Sequence, residues 1–91
     1  MIVKIHTETK LGKKGASSTT WQEVDTVEAV ENSISEGLAL IAYAFAKVNP
    51  AEALLVALWV EDVLAGVHKG EKAFSKYFGE KIGTITITIK D

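Results

Sequence analysis

Two stretches of the chain, one near each end, alternate between apolar and polar residues. Residues 2–9 do so with β-branched side chains at many positions, and residues 84–89 alternate threonine with isoleucine without a break. A period of two is that of a strand with one buried face. Residues 10–18 are rich in glycine, serine and lysine, as loops are, and residues 19–24 return to types that favour strands. The pattern predicts an N-terminal β-hairpin and a C-terminal strand, joined in a three-stranded, mainly antiparallel sheet.

The middle of the chain has the period of a helix. Asp25 and Glu28 have the three-residue spacing of a capping box, which indicates a helix start at residue 25. Apolar residues then recur every seven positions as far as Val48. Gly37 weakens this helix and Ser33 offers a second cap just before it, so we expect the helix to bend or to start late at this point.

A second helix begins at the clearest boundary signal in the sequence. Asn49 is a preferred N-cap, Pro50 takes the first helical position, where its missing amide hydrogen costs nothing, and Glu52 completes a capping box. The apolar pattern continues to Gly66 or Gly70, either of which can end a helix. The short connection to the preceding helix predicts an antiparallel helical hairpin.

A short third helix is expected within residues 70–79. Phe74, Tyr77 and Phe78 have helical spacing there, and their aromatic face would cover one edge of the core. The sequence thus predicts a single α+β domain over residues 1–91 with the order β-β-α-α-α-β. In this fold the helical hairpin and the third helix pack on the isoleucine face of the small sheet.

The two long helices carry more apolar side chains than one small sheet can cover. A helix on one side of a sheet normally keeps a polar face for solvent, whereas the second helix leaves mainly Glu61 and Asp62 for water. With no cysteine for a disulfide, contact with another copy is the remaining way to extend the core. The sequence therefore predicts a homodimer or larger assembly, with contacts made by Leu55, Val56, Trp59, Val60 and Val63.

Composition and charge place the chain among ordinary globular proteins. It is 47% hydrophobic and 24% charged, with a net charge of −2, so no overall field attracts nucleic acid or an anionic membrane. The first residues lack the apolar run of a signal peptide, and no apolar stretch reaches the ~20 residues of a membrane-spanning helix. We expect a cytoplasmic protein without membrane contact.

A lysine-rich segment offers a local site for nucleic acid. Lys10, Lys13 and Lys14 lie in or next to a loop with glycines at positions 12 and 15, where ammonium groups and backbone amides can contact phosphates. Trp21 can stack on a base. The other interpretation is a solvated hairpin tip, with Trp21 in the core.

Glu61, Asp62 and His68 form a group of acid–base side chains that are close in sequence. A carboxylate and an imidazole two helical turns apart can bind a metal or move a proton. Their spacing fits no established metal motif, and an acidic pair on a helix is usually a solvated face. No serine, threonine or lysine has a base partner at motif spacing, and the sequence indicates no cofactor.

These observations favour a small non-enzymatic binding protein of the adaptor or inhibitor type. The small size, the apolar helices and the lack of a catalytic motif in the sequence support contacts with a second copy and with another protein. Two alternatives stay open. They are nucleic-acid binding through the lysine-rich segment, and a metal-dependent or acid–base reaction at Glu61, Asp62 and His68.

Overall fold

The chain forms a four-stranded sheet with two helices on one of its faces. The computed structural model describes residues 1–9, 16–47, 49–79 and 83–91. All three strand pairs are antiparallel, and the two helices pack against each other as the predicted helical hairpin. The elements are β1 (Ile2–Thr9), β2 (Ala16–Glu23), α1 (Val27–Ala46), α2 (Pro50–His68), β3 (Ala73–Tyr77) and β4 (Thr84–Lys90).

The strand order is β2-β1-β4-β3, so the first and last strands of the chain are the two central ones. Val3 lies opposite Ile89, and Ile5 lies opposite Ile87. This register puts the isoleucines of β4 beside the apolar residues of β1 on one face, while the threonines of β4 share the other face with His6. The alternation that predicts these strands therefore also determines which face the helices cover.

The core lies between this apolar face and the inner sides of the two helices. α1 contributes Ile34 and Leu38 and α2 contributes Val56 and Val63, each fully buried. Burying a side chain of this size stabilises a fold by about 1.5–3 kcal/mol. The other buried hydrophobic residues are Val3, Ile5, Val30, Phe45, Trp59, Val67, Phe78, Ile85, Ile87 and Ile89.

The segment predicted as a third helix is instead a strand, Ala73–Tyr77, which pairs with β4. The predicted fold of three strands and three helices is therefore wrong, and the chain has four strands and two helices in its described part. Phe74 lies against Gly66 of α2, and Phe78 is buried edge-on to Trp59 with ring centroids 5.6 Å apart. The edge of β4 explains the difference, because its backbone amides and carbonyls need partners that a helix would not supply.

β2 is longer than the sequence predicts. It begins at Ala16 instead of residue 19, because the two serines at positions 17 and 18 pair with Glu8 and Thr7. Serine has little preference for strands, so the extension follows from pairing with β1 and not from local propensity. The predicted loop at residues 10–15 lies outside the described residues.

α1 runs without interruption through Gly37, so the predicted bend or late start at this residue is not found. The N-cap is Thr26, one residue later than predicted, and its side chain accepts a hydrogen bond from the Ala29 amide at 3.0 Å. A Cβ atom at position 37 would overlap Cδ1 of Ile5 in β1. Glycine therefore allows the helix and the sheet to approach more closely than any other residue would.

α2 begins and ends close to the predicted boundaries. The Asn49 side chain accepts a hydrogen bond from the Ala51 amide, and the helix ends at His68. Gly70 then adopts a φ of 90°, a left-handed conformation that turns the chain toward β3. Neither of the two described helices is long and apolar enough to cross a membrane.

Candidate functional site

Most of the residues predicted to contact a second copy lie inside the chain's own core. Val56 and Val63 are fully buried and Trp59 is 7% exposed, because these three side chains face the sheet. Val60 is partly buried, and Leu55 is the exposed member of the group. Val56, Trp59 and Val63 are thus not open to a second copy while the chain is folded.

The outward side of the helical hairpin carries other large apolar residues. Leu54 and Leu58 are 62% and 55% exposed, and their spacing of four residues puts them on one side of α2. Tyr43, 68% exposed, lies on the outward side of α1. Since the helices are antiparallel and joined by a short turn, the end of α1 lies beside the start of α2. We name Tyr43, Leu54, Leu58 and the neighbouring Leu55 the outer leucine patch.

The outer leucine patch is large for a chain of this size. Its four side chains expose on the order of 500 Å², near the upper end of the roughly 300–600 Å² found for the largest apolar patch on a monomer. Exposed alanines at positions 39, 46, 51 and 57 surround them. The largest apolar patch on a monomer is often a functional surface.

The other end of the helical hairpin is polar and acidic. Glu28, Glu61 and Asp62 are exposed there, and neither helix contains a lysine or an arginine. The outer surface of the hairpin therefore divides along its length. One half, near the turn, is apolar apart from Lys47, whose Nζ lies 5.1 Å from the centroid of the Tyr43 ring. The other half is acidic.

A groove runs between the edge strand β2 and α1. Two adjoining cavities of about 200 and 120 Å³ form it, and both are lined by Ile5, Thr20, Gly37 and Leu40. Leu40 is 71% exposed and stands at the wall of the groove. α1 approaches β1 closely at Gly37, and Ser33 of α1 donates a hydrogen bond of 2.9 Å to Gln22 Oε1 of β2. Beside this contact, the groove occupies the space between α1 and β2.

In the described part of the chain, no strand pairs with the outer edge of β2 beside this groove. Met1 and Val24 exchange two backbone hydrogen bonds of 2.8 Å just before the first pair of β1 with β2. Hydrogen-bonded positions alternate along an antiparallel strand, so the even-numbered residues of β2 form the backbone hydrogen bonds with β1. The amides and carbonyls of Thr19 and Trp21 therefore point away from the sheet. The strand contains no proline or lysine, the residues that usually protect such an edge from pairing with another chain.

The open face of the sheet carries a row of polar contacts centred on His6. Its Nδ1 lies 2.6 Å from Thr19 Oγ1 and its Nε2 lies 3.3 Å from Glu8 Oε1. In the tautomer that carries its hydrogen on Nε2, the carboxylate accepts from Nε2–H and Nδ1 accepts from the threonine hydroxyl. A hydroxyl, an imidazole and a carboxylate in this order can activate a nucleophile. Here they lie open to water on a flat sheet face, where nothing in the described part of the chain encloses a substrate, so we interpret them as a surface row.

In the described part of the chain, the nearest carboxylate to His68 belongs to α1, and not to Glu61 or Asp62 as the sequence predicts. The Nδ1 atom of His68 lies 3.8 Å from Glu31 Oε1 of α1, and the histidine side chain is 84% exposed. Glu61 and Asp62 are exposed on α2. Among the described residues, no three histidine, aspartate or glutamate side chains come together in a way that could hold a metal ion.

Of the residues predicted to bind nucleic acid, the structure describes Trp21. It is 65% exposed and pairs with Lys4 across the strands, on the face of the sheet opposite the helices. The interpretation that places Trp21 in the core is therefore wrong. Lys10, Lys13 and Lys14 lie outside the described residues.

No protein-family model, curated protein or solved structure matches this chain. Its role has to be inferred from the surfaces that the fold exposes.

The sequence pattern did not identify the outer leucine patch as the exposed surface. α2 is apolar on nearly all sides, so the pattern alone does not determine which side faces the sheet. The signal that was missed is the position of the two acidic residues of α2. Glu61 lies on the same side of the helix as Leu54 and Leu58, so it could have marked that side as the outward one.

Proposed function

We propose that this chain is a small non-enzymatic interaction protein that forms a homodimer through the outer leucine patch. The observation that supports this proposal is the exposure of Tyr43, Leu54 and Leu58, each more than half accessible to water. They belong to helices whose opposite sides already fill the core. Covering apolar surface gains about 25 cal/mol per Å², so a partner on this face would add several kcal/mol before the cost of association is subtracted.

A second copy fits the size and composition of this surface. In a two-fold dimer the same patch lies on both sides of the interface, and a standard interface takes about 800 Å² from each partner. The outer leucine patch together with its surrounding alanines is of that order. The alanines are small, which allows the helices of two copies to pack closely against one another.

The acidic half of the helical hairpin restricts how two copies can meet. Glu28, Glu61 and Asp62 of one copy would face the same acidic residues of the other if the hairpins overlapped in parallel along their whole length. An arrangement in which only the two apolar halves overlap keeps these charges apart. Added salt should therefore leave the dimer intact or strengthen it, because salt screens the remaining repulsion.

Sedimentation velocity over a range of protein concentrations tests the proposal. We expect a concentration-dependent dimer in the wild-type chain. Leu58→Glu places a charge in the middle of the patch and removes an apolar contact worth about 1.5–3 kcal/mol. The dissociation constant should therefore rise by roughly 10- to 100-fold or more.

Ala65→Glu is the matched control, because residue 65 lies two turns beyond residue 58 on the same side of α2, in the acidic half. This variant adds the same charge outside the patch and should dimerise nearly as the wild type does. Circular dichroism would show that both variants are folded. A wild-type chain that sediments as a monomer at every concentration, or a dimer that Leu58→Glu does not weaken, would refute the proposal.

A further inference from the structure

Two features of the molecule meet at β2 and are not used by the proposed dimer. One is the row of unpaired backbone groups of Thr19 and Trp21 along the edge of the sheet. The other is the groove between β2 and α1, with its apolar lining of Ile5, Gly37 and Leu40. The backbone groups require a strand as their partner, and the groove accepts an apolar side chain.

We propose that this edge and this groove bind an extended peptide segment of another protein, which adds to the sheet as a fifth strand beside β2. In β-augmentation of this kind, main-chain hydrogen bonds supply affinity and pockets for alternate side chains supply specificity. The residue of the peptide that lies opposite Thr20 points toward α1, because Thr20 itself is on the helix-covered face beside Ile5. That side chain enters the groove against Leu40.

The charge of the groove defines the peptide further. Glu36 lies at the larger of the two cavities and is exposed, and among the residues that the structure describes no basic one lines either cavity. A lysine or arginine two residues from the apolar side chain would lie on the same face of the peptide and near Glu36. The partner is therefore an extended segment of up to eight residues, the length of β2, that carries an apolar and a basic side chain at alternate positions.

A second copy of this chain fits the groove less well. If two β2 strands paired edge to edge, each would present Ser18, Thr20 and Gln22 on the face that α1 adjoins, because these residues lie opposite Thr7, Ile5 and Val3. Short polar side chains would leave the apolar lining of Leu40 and Ile5 uncovered. The groove thus favours a peptide with larger apolar side chains than β2 itself has.

Selection from a library of random eight-residue peptides displayed on phage tests the inference. We expect enriched sequences to carry apolar residues at alternate positions, with lysine or arginine on the same face. The best enriched peptide is then synthesised, and its affinity is measured by fluorescence anisotropy. Amide hydrogen exchange followed by NMR gives the direct structural signature, since the amides of Thr19 and Trp21 should exchange more slowly when this peptide is bound.

Three variants, with one control, test the groove, the strand edge and the charge separately. Leu40→Glu changes the wall of the groove, and Thr19→Pro removes an outward amide without breaking the ladder with β1, so each should weaken the selected peptide on the order of tenfold or more. Thr19→Ala is the control for the second variant, because it also removes the hydroxyl but keeps the amide. Glu36→Lys should shift the preference from basic to acidic peptides.

Leu58→Glu links this test to the proposed dimer and keeps the two distinguishable. It should weaken dimerisation and leave the affinity for the selected peptide unchanged, because Leu58 lies on α2, away from the groove. The inference is wrong if no peptide is enriched, or if binding survives both Leu40→Glu and Thr19→Pro. It is also wrong if Thr19 and Trp21 become protected in the peptide-free chain as protein concentration rises, since the edge would then be occupied by a second copy.

Discussion

At Gly37, the absence of a side chain allows α1 to lie directly on β1. A Cβ at this position would overlap Cδ1 of Ile5, which is itself buried in the core. The sequence predicts a weak point in the helix at Gly37, because glycine costs about 1 kcal/mol relative to alanine in a helix interior. The structure shows the compensating contact, which no local pattern reveals since its partner is 32 positions away in the sequence.

We expect Gly37→Ala to lower the free energy of unfolding by up to about 2 kcal/mol, although alanine favours the helix. Overpacking of a buried contact costs about 1–3 kcal/mol, which exceeds the gain in helix propensity. The measurement is urea denaturation. Ile5→Val removes the overlapping Cδ1 atom and should cost about 0.5–1.5 kcal/mol alone.

The double variant Gly37→Ala with Ile5→Val provides the control. If the two atoms conflict as described, it should be less destabilised than the sum of the single variants by about 1 kcal/mol, because the valine makes room for the new methyl group. Strict additivity would contradict the close approach.

At the scale of elements, β3 is the part of the fold that sequence reasoning could not obtain. β1, β4 and both helices have long periodic patterns or strong caps, such as the alternating 84–89 segment and the Asn49–Pro50 pair. β3 has five residues, and Phe74, Tyr77 and Phe78 fit a helical period as well as a strand followed by a turn. Its conformation is determined by the edge of β4 that it covers, so it depends on tertiary pairing.

Two proline substitutions test whether residues 73–77 form a strand or a helix. Two backbone hydrogen bonds of 2.8 Å flank β3, from Ile89 N to Lys72 O and from Phe78 N to Gly83 O. Because hydrogen-bonded positions alternate along an antiparallel strand, the even-numbered residues of β3 bond to β4 and the amides of its odd-numbered residues point outward. Lys76→Pro should therefore cost about 1–3 kcal/mol through a lost ladder bond, whereas Ser75→Pro should cost clearly less. Thermal denaturation of both variants measures this difference. Equal losses would indicate that residues 73–77 are not the edge strand described.

A surface ion pair lies at the start of β3. The Lys72 ammonium, which hydrogen-bonds the Asp91 carboxylate, lowers the pKa of that carboxyl below its usual value, and its positive charge acts in the same direction. Because the folded pKa is lowered, this contribution to stability is present above the usual pKa of aspartate and is lost as the pH falls through the lowered value. Both side chains are exposed, so the solvent screens the pair and its contribution is small.

At the scale of the whole molecule, the surplus of apolar residues was evident from the sequence, but its location was not. The fourth strand and the buried aromatic pair of Trp59 and Phe78 cover more of α2 than a three-stranded sheet would. The surplus that stays exposed is consequently on the outward side, at Leu54, Leu58 and Tyr43. Helix orientation depends on the complete set of sheet contacts, which composition and periodicity do not specify.

If the dimer proposal is correct, the stability of the chain should depend on its concentration. A tenfold rise in concentration adds about 1.4 kcal/mol to the stability of a dimer, shared by its two chains, which corresponds to an increase of about 3–5 °C in the melting temperature. Differential scanning calorimetry at several concentrations measures this shift. Leu58→Glu should remove the dependence, and a wild-type melting temperature that stays constant with concentration would contradict the proposal.

The position of β1 and β4 at the centre of the sheet has a consequence for synthesis of the protein. β1 is made before the other described elements and β4 after them, so the middle of the sheet can close only once residues 84–90 have been synthesised. Until then, the β1–β2 pair and the two helices have only neighbours in sequence as partners, and the part of the core that the isoleucines of β4 complete stays open to other molecules. The largest loop-closure entropy of this fold is therefore lost in the last step, and we expect the nascent chain to be most prone to aggregation before that step.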